Sequence, residues 1–454
     1  MPLEEGSMHF RIASLVVVGL FTGVGATART AASPGLGPPG PTTPATAAIL
    51  GDRLFAAADF GGAERAYRSA LRNDRHNAAA ELGLARIALY RNELGEAERH
   101  ARALAADDPS DPRANGLRRS IAERRDEGPD YRVTITDAQV DVPFRIDPLP
   151  EFEALVDGKR AHLLLDTGGP GLTLGSSFAK ALGVATRPGG EGVFAGGLRG
   201  AIRSGHVDRL DLGGASIRSL PMSVAGVPPG IDGALGTNVL YRFLSTIDYA
   251  NRRLVLRRKT ESKTFNAGAS ARGAAIVPML LVPDHFIFAR ARVGDAPEAL
   301  FSVDTGGAGV GVQLTKTELH AAAIVPDSSH PTNFVGGGGA VRTLPFAADV
   351  TLGRRTFRQV PGVYSPDGDP FGTFPFSIAG AISQELFKRG ALTFDFSAMK
   401  LIFEVPKPLA TSRTRRFCSV ESPKGVQQSA KCSQAFLAVS SRVGHHRVRA
   451  TSCR

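Results

Sequence analysis

The chain has 454 residues, 43% of them hydrophobic, with 52 Gly and no Trp; that is length enough for two or three compact units. Its net charge of +11 suggests an anionic partner, but residues 407–454 carry ten Lys/Arg against the single acid Glu421, so the body of the chain is close to neutral and no nucleic-acid partner is expected. The only cysteines, Cys418, Cys432 and Cys453, lie in that same tail at spacings that fit no zinc or CxxC pattern, which excludes thiol chemistry and a disulfide framework from the body.

In chain order, residues 1–28 read as an export signal. His9 and Arg11 open it, Ile12 to Val24 form an apolar core broken only by small residues, and Ala26-Thr27-Ala28 supplies a small-x-small cleavage site. The apolar stretch is short for a membrane span, and no Cys follows it for lipid attachment. The expected product is periplasmic or secreted, with no stable membrane insertion after signal removal. Residues 29–46 contain Ser33-Pro34-Gly35-Leu36-Gly37-Pro38-Pro39-Gly40-Pro41, a run that cannot pack a core and reads as a linker.

Residues 47–125 are rich in Ala, Leu, Arg and Glu with helical periodicity. Phe60-Gly61-Gly62-Ala63-Glu64-Arg65 returns 34 residues later as Leu94-Gly95-Glu96-Ala97-Glu98-Arg99, and Leu50 and Ala70 match Leu84 and Leu104 at the same offset. That period, with small residues where paired helices touch, resembles the tetratricopeptide repeat, with a generic pair of helical hairpins as the plainer alternative. A further helix from Asp111 to Arg125 is expected to cap the repeats. Such a module implies a protein partner or a docked substrate.

From Tyr131 the pattern changes to short runs between Gly, Pro and Asp: Tyr131–Thr136, Ala161–Leu165, Val207–Leu212 and Ser245–Leu256, the spacing of an all-β protein. A longer repeat then appears. Leu163-Leu164-Leu165-Asp166-Thr167-Gly168-Gly169 recurs around Asp304-Thr305-Gly306-Gly307 at an offset of 138. Phe194-Ala195-Gly196-Gly197 recurs as Phe334-Val335-Gly336-Gly337, and Leu212-Gly213 as Leu352-Gly353, both at 140. Ile231–Leu235 recurs as Ile378–Ile382, and Ile247-Asp248-Tyr249 as Phe394-Asp395-Phe396, both at 147. Five blocks in one order, at an offset that only grows, mean two copies of one β-lobe, 131–258 and 272–406. The tail, 407–454, lacks periodicity and is expected to be disordered.

Each lobe runs an apolar strand straight into Asp-Thr-Gly, which buries the strand and leaves the Asp at its end. An approximate twofold between the lobes brings Asp166 and Asp304 together at the axis. Two adjacent carboxylates cannot both ionise cheaply, so they hold one proton between them. One can then act as general base toward water and the other as general acid toward a carbonyl. Asp248 and Asp395, matched before a final strand, read as structural turn residues. His162, His206, His285 and His320 are scattered without ligand spacing, so no metal site and no cofactor are expected.

The paired Asp-Thr-Gly motifs, each followed by a Gly-rich segment and a later apolar-apolar-Gly stretch, resemble the retropepsin/pepsin clan, in particular bacterial two-lobed retropepsin-like proteins, over about 131–406. The resemblance implies a mainly β fold of two pseudo-symmetric β-barrel lobes, behind the helical repeat module. It implies an aspartic endopeptidase with Asp166 and Asp304 as its dyad, acting on a peptide or protein substrate at acidic to mildly acidic pH. Thr167 and Thr305 would tie the two loops together, and Gly168 and Gly306 would permit the turns. Ala234-Leu235-Gly236 would pass behind the first loop; Ser383 stands where Gly236 is expected in the second. Phe194, Gly196, Gly197, Phe334, Gly336 and Gly337 fall where flaps would close over an extended peptide. A monomer with two lobes is expected, with an obligate homodimer as one rival. The other is a catalytically inactive peptide-binding protein acting as an interaction module.

Overall fold

The computed structural model describes residues 43–405, apart from 107, 126–130, 195–198, 283–284, 337–338, 369–370 and 372–373, together with 12–13 and 17–18. The basic tail, the cleavage site at Ala26–Ala28 and most of the expected linker lie outside the described residues.

Two short strands, β1 (Ile12–Ala13) and β2 (Val17–Val18), precede five helices: α1 (Pro44–Ala56), α2 (Phe60–Asn73), α3 (Ala78–Tyr90), α4 (Leu94–Leu104) and α5 (Pro112–Arg125). Helix α1 begins inside the stretch expected to be linker. Thr43 Oγ1 accepts from the Thr46 amide at 3.2 Å, and Pro44 at the first position fits a helical first turn. The 34-residue repeat coincides with helix starts, since α2 opens at Phe60 and α4 at Leu94. Ala63 and Ala97, matched in the repeat, are both fully buried. Gly51 and Gly83 face the Tyr67 ring so closely that any β-carbon there would collide with it. The small residues thus let one large ring fill the space between three helices.

The first lobe comprises β3 (Arg132–Ile135), β4 (Gln139–Pro143), β5 (Arg145–Ile146), β6 (Pro150–Val156), β7 (Lys159–Leu165), β8 (Leu172–Gly175), α6 (Ser176–Leu182), β9 (Thr186–Phe194), β10 (Arg199–Leu212), β11 (Ala215–Ala225), β12 (Gly233–Leu235), α7 (Thr237–Leu240), β13 (Leu244–Asp248) and β14 (Arg253–Arg257). A helix the sequence did not signal, α8 (Ser262–Ala271), bridges the lobes. The second lobe comprises β15 (Ala275–Val282), β16 (Phe286–Val293), β17 (Ala299–Val303), β18 (Val312–Leu314), α9 (Lys316–Ala321), β19 (Thr332–Gly336), β20 (Gly339–Leu352), β21 (Arg355–Tyr364), β22 (Gly380–Ile382), α10 (Gln384–Phe387), β23 (Ala391–Asp395) and β24 (Lys400–Glu404).

The two halves share one strand order. The first lobe runs β9-β10-β11-β8-β12-β7-β6-β5, with β10 also pairing β6; the second runs β19-β20-β21-β18-β22-β17-β16-β15, with β20 also pairing β16. Each sheet therefore curls back on itself into a barrel. The run Ser245–Leu256 is a hairpin rather than one strand, because Asp248 Oδ1 accepts from the Asn251 amide at 3.1 Å and turns the chain there.

Beneath both barrels the strands β4-β14-β13-β23-β24-β15 form one shared sheet. Its centre is the antiparallel pair β13–β23, one strand from each lobe, with Thr246 opposite Thr393 and their hydroxyls 2.8 Å apart. The pseudo-twofold axis passes between those threonines. Every residue of β13 is buried, and its polar members are satisfied, with Ser245 Oγ donating to the Leu240 carbonyl at 2.8 Å.

The helical module is docked rather than free. Phe55, Phe60 and Tyr90 surround Phe376 of the second lobe at ring distances of 5.3–6.1 Å, and Phe376 continues to Phe288 at 5.5 Å. Hydrogen bonds reinforce the contact: the Ser377 amide donates to Ala56 O at 2.7 Å and the Arg290 guanidinium to Ala58 O at 2.8 Å. Asn92 donates to Phe396 O at 3.1 Å and accepts from Tyr241 at 3.1 Å, tying α3's end to the shared sheet.

Candidate active site

The site is built at the ends of two strands whose last residues have no solvent face. Leu163, Leu164 and Leu165 of β7 are buried in succession because both faces are covered: Leu163 and Leu165 belong to the main core, and Leu164 on the other face to the cluster of Leu149, Phe194 and Ala234. Strand β12 runs parallel to β7, and the Asp166 amide continues that ladder by donating to Leu235 O at 3.0 Å. The second lobe repeats the device: β22 runs parallel to β17 and the Asp304 amide donates to Ile382 O at 3.0 Å. Each aspartate is thus fixed at the end of a paired, buried strand.

The two loops face each other and interlock. The Thr167 amide donates to Thr305 Oγ1 at 3.0 Å and the Thr305 amide to Thr167 Oγ1 at 3.0 Å. Thr167 Oγ1 also donates to Val303 O at 2.9 Å. Gly168 N donates to Asp166 Oδ1 at 2.8 Å, and Gly306 N to Asp304 Oδ1 at 2.8 Å. The glycines are required by the opposite carboxylate: a β-carbon on Gly168 would stand closer than 3.0 Å to Asp304 Oδ1, and one on Gly306 equally close to Asp166 Oδ1. Each carboxylate therefore sits over the other loop's glycine.

Burial is nearly complete, at 0% exposure for Asp166 and 9% for Asp304. That desolvation, with the Asp304 charge beside it, drives the Asp166 carboxyl well above the usual carboxylate range. Burial raises Asp304 as well, against the Gly306 amide that favours its ionised form. Apart from a proton shared with Asp304, Asp166 Oδ2 has no hydrogen-bond partner among the described residues. From below, Tyr249 lies close enough to the pair that both aspartates add to the burial raising its own pKa.

Behind the loops the lobes differ. Gly236 approaches the Gly169 carbonyl too closely for any side chain, and Thr237 Oγ1 donates to Thr167 O at 2.9 Å. In the second lobe Ser383 occupies Gly236's place and the crossing survives: its hydroxyl donates to Asp304 O and accepts from the Gly307 amide at 3.0 Å. Asp248 and Asp395 stay out of the site, the latter accepting from the Ser397 and Ala398 amides at 3.0 Å.

Of the expected flap residues, Phe194 ends β9 and is 1% exposed, packed with Leu149, Leu164, Ile202 and Ala234 and with Ala308 of the opposite loop. Phe334 in β19 packs on Val310 and Val363. Gly336 pairs with Gly339 across the second hairpin, while Gly196, Gly197 and Gly337 lie outside the described residues. The outer edge of each hairpin takes a strand, β2 antiparallel on β9 and β1 parallel on β19. Among the described residues no three His, Cys, Asp or Glu are grouped to hold a metal.

One residue the sequence dismissed reaches the site. His285, fully buried before β16, places Nε2 3.0 Å from the Gly168 carbonyl. Nothing in spacing or composition marked it, since its repeat counterpart is not a histidine.

Residues 152–239 match the family described as aspartyl protease, and residues 54–121 match the tetratricopeptide repeat. No curated protein matches the sequence. Among solved structures the chain is similar to a retropepsin-like aspartic protease from Rickettsia conorii, at 17% identity and a TM-score of 0.21, covering 28% of this chain and 92% of that one. It is also similar to an aspartic proteinase from Irpex lacteus, at 14% identity and a TM-score of 0.38, over 59% and 97% of the two chains. Conglutin gamma, a basic 7S globulin from lupine seeds, follows at 12% identity and a TM-score of 0.36, over 60% and 96%.

Proposed function

We propose that the chain is an exported aspartic endopeptidase, periplasmic or secreted, whose single-chain pair of lobes is the active unit and whose catalytic groups are Asp166 and Asp304. The observation that carries this reading is the buried carboxylate pair, each member seated over the other loop's glycine and both raised in pKa. Such a pair holds one proton over the pH range between its two ionisations. The ionised carboxylate takes a proton from water as the water oxygen attacks the peptide carbonyl carbon. The protonated one delivers its proton to the carbonyl oxygen, giving a tetrahedral diol. Collapse breaks the C–N bond as the newly protonated carboxyl gives its proton to the nitrogen and the ionised carboxylate takes one from a diol hydroxyl, which returns the pair to its starting state.

Substrate enters as an extended strand. The support for this is that both flap hairpins can pair a strand on their outer edges, at Phe194 and at Phe334, as residues 12–13 and 17–18 do before export would remove them. Thr167, Gly168, Thr305 and Gly306 hold the loops in register without touching the reacting bond. The helical module offers its remaining surface to a protein partner or to substrate, since the face carrying Phe55, Phe60 and Tyr90 is occupied by the second lobe. The test is cleavage of a mixed peptide pool across pH by wild type and by Asp304→Asn, with folding of both checked by circular dichroism. Acid-side cleavage lost in the variant supports the proposal. A folded wild type that binds peptides and cuts none makes the chain a peptide-binding module instead.

A further inference from the structure

We propose that His285 is a positioning residue for the Asp166 loop, a latch from the second lobe onto the first; the proposal deepens the peptidase reading and rests on it for its kinetic consequence. The Gly168 carbonyl can only accept, so the contact at 3.0 Å requires a proton on His285 Nε2. The peptide unit that His285 holds is the one beside the Gly168 amide, which donates to Asp166 Oδ1 at 2.8 Å. Fixing its carbonyl therefore fixes the carboxylate's orientation at one remove.

The latch has a rigid backing. The His285 ring lies 4.0 Å from Phe286, and Phe286 meets Phe374 edge-on at 4.9 Å. Phe374 stacks on Phe376, which is the ring enclosed by Phe55, Phe60 and Tyr90 of the helical module. A continuous aromatic packing thus runs from the helices to the histidine, and leaves the imidazole little freedom to turn away.

The repeat shows what the latch replaces. The turn between β5 and β6 in the first lobe corresponds to the His285 turn, and it too reaches across, with Pro148 O accepting from Gln384 of the opposite lobe at 3.1 Å. That contact falls behind the Asp304 loop, not on its glycine carbonyl. The Asp304 loop is instead braced from within by Ser383, whose hydroxyl spans Asp304 O and Gly307 N. Gly236, its counterpart, has no hydroxyl to offer. The Asp166 loop draws on Thr237 at Thr167 O and on His285 at Gly168 O.

The test uses the whole mature protein with His285→Leu and His285→Gln, glutamine keeping a donor at a similar reach. Nitrogen-15 histidine spectra of wild type should show His285 with its proton on Nε2; a neutral Nδ1–H tautomer overturns the proposal, even if His285→Leu fails to fold. Amide exchange at Gly168 and Gly169 should quicken about tenfold or more in His285→Leu and recover in His285→Gln. On a cleaved peptide, kcat should fall roughly ten- to a hundredfold in His285→Leu with KM nearly unchanged, and glutamine should restore most of it. Unchanged exchange and kcat in a folded His285→Leu would also overturn the proposal. If wild type cleaves nothing, the peptidase reading fails, while the tautomer and exchange results still decide the latch.

Discussion

In the first lobe the chain behind the aspartate loop ends in Gly236, packed against the Gly169 carbonyl with no space for a side chain; in the second, Ser383 stands at that place and hydrogen-bonds the loop itself. Beneath them, Tyr249 and Phe396 hold matched positions, and only Tyr249 carries a hydroxyl. Strand order, barrel closure and the Asp-Thr-Gly turns are nevertheless the same in both halves. The symmetric parts are those that bring two carboxylates together. The asymmetric parts surround each carboxylate differently, while burial raises both. A duplicated lobe held in one chain is free to differentiate its halves in this way, whereas two identical chains are not.

The deepest break in the comparison is to remove one carboxylate. Asp166→Asn and Asp304→Asn should each lower kcat by about three orders of magnitude or more, read by steady-state cleavage, because both halves of the acid–base exchange are lost together. Gly306→Ala should come close to that loss, since the added methyl falls where Asp166 Oδ1 lies; a folded Gly306→Ala variant with wild-type kcat would refute the packing argument.

Exchanging the braces sharpens the contrast. Gly236→Ser forces a side chain onto the Gly169 carbonyl and should lower the unfolding midpoint more than Ser383→Gly does. Ser383→Ala leaves Gly307 N and Asp304 O without the hydroxyl and should cost about 1–3 kcal/mol in denaturant unfolding. Equal costs for Gly236→Ser and Ser383→Gly would mean that the two crossings are equivalent after all.

The smallest effect is in stability against pH. Both carboxyls are raised in the folded state, so the stability they contribute is complete below the ordinary aspartate range and is lost as pH rises through the elevated values. Asp166→Asn removes that loss. Its unfolding midpoint should exceed wild type's at neutral pH, and the gap should narrow toward pH 4 or so. A gap that widens on acidification would mean that the pair is not held protonated.

Much of this was legible in the sequence because the repeat carries it. The Leu163–Asp166 run read as a buried strand, and five blocks in one order at a growing offset pointed to two copies of one lobe. The 34-residue period located α2 and α4 at their first residues. Features without a repeat partner were harder to see. His285 meets a loop carbonyl 117 residues away, a contact that no local pattern records. The docking of the helices depends on Phe376, one of three phenylalanines in a long connection, meeting Phe55, Phe60 and Tyr90. Ser383 stood in the sequence only as a departure from the expected glycine; the geometry of its hydroxyl makes it a brace.

The central claim is that Asp166 and Asp304 act as one proton-sharing pair on peptide bonds. The most direct measurement is cleavage of a mixed peptide library by the mature protein across pH, with Asp304→Asn alongside. The account predicts cleavage on the acid side that disappears in the variant while the fold is retained. A folded wild type that cuts no peptide at any pH, or an Asp304→Asn variant that cuts as well as wild type, would contradict it.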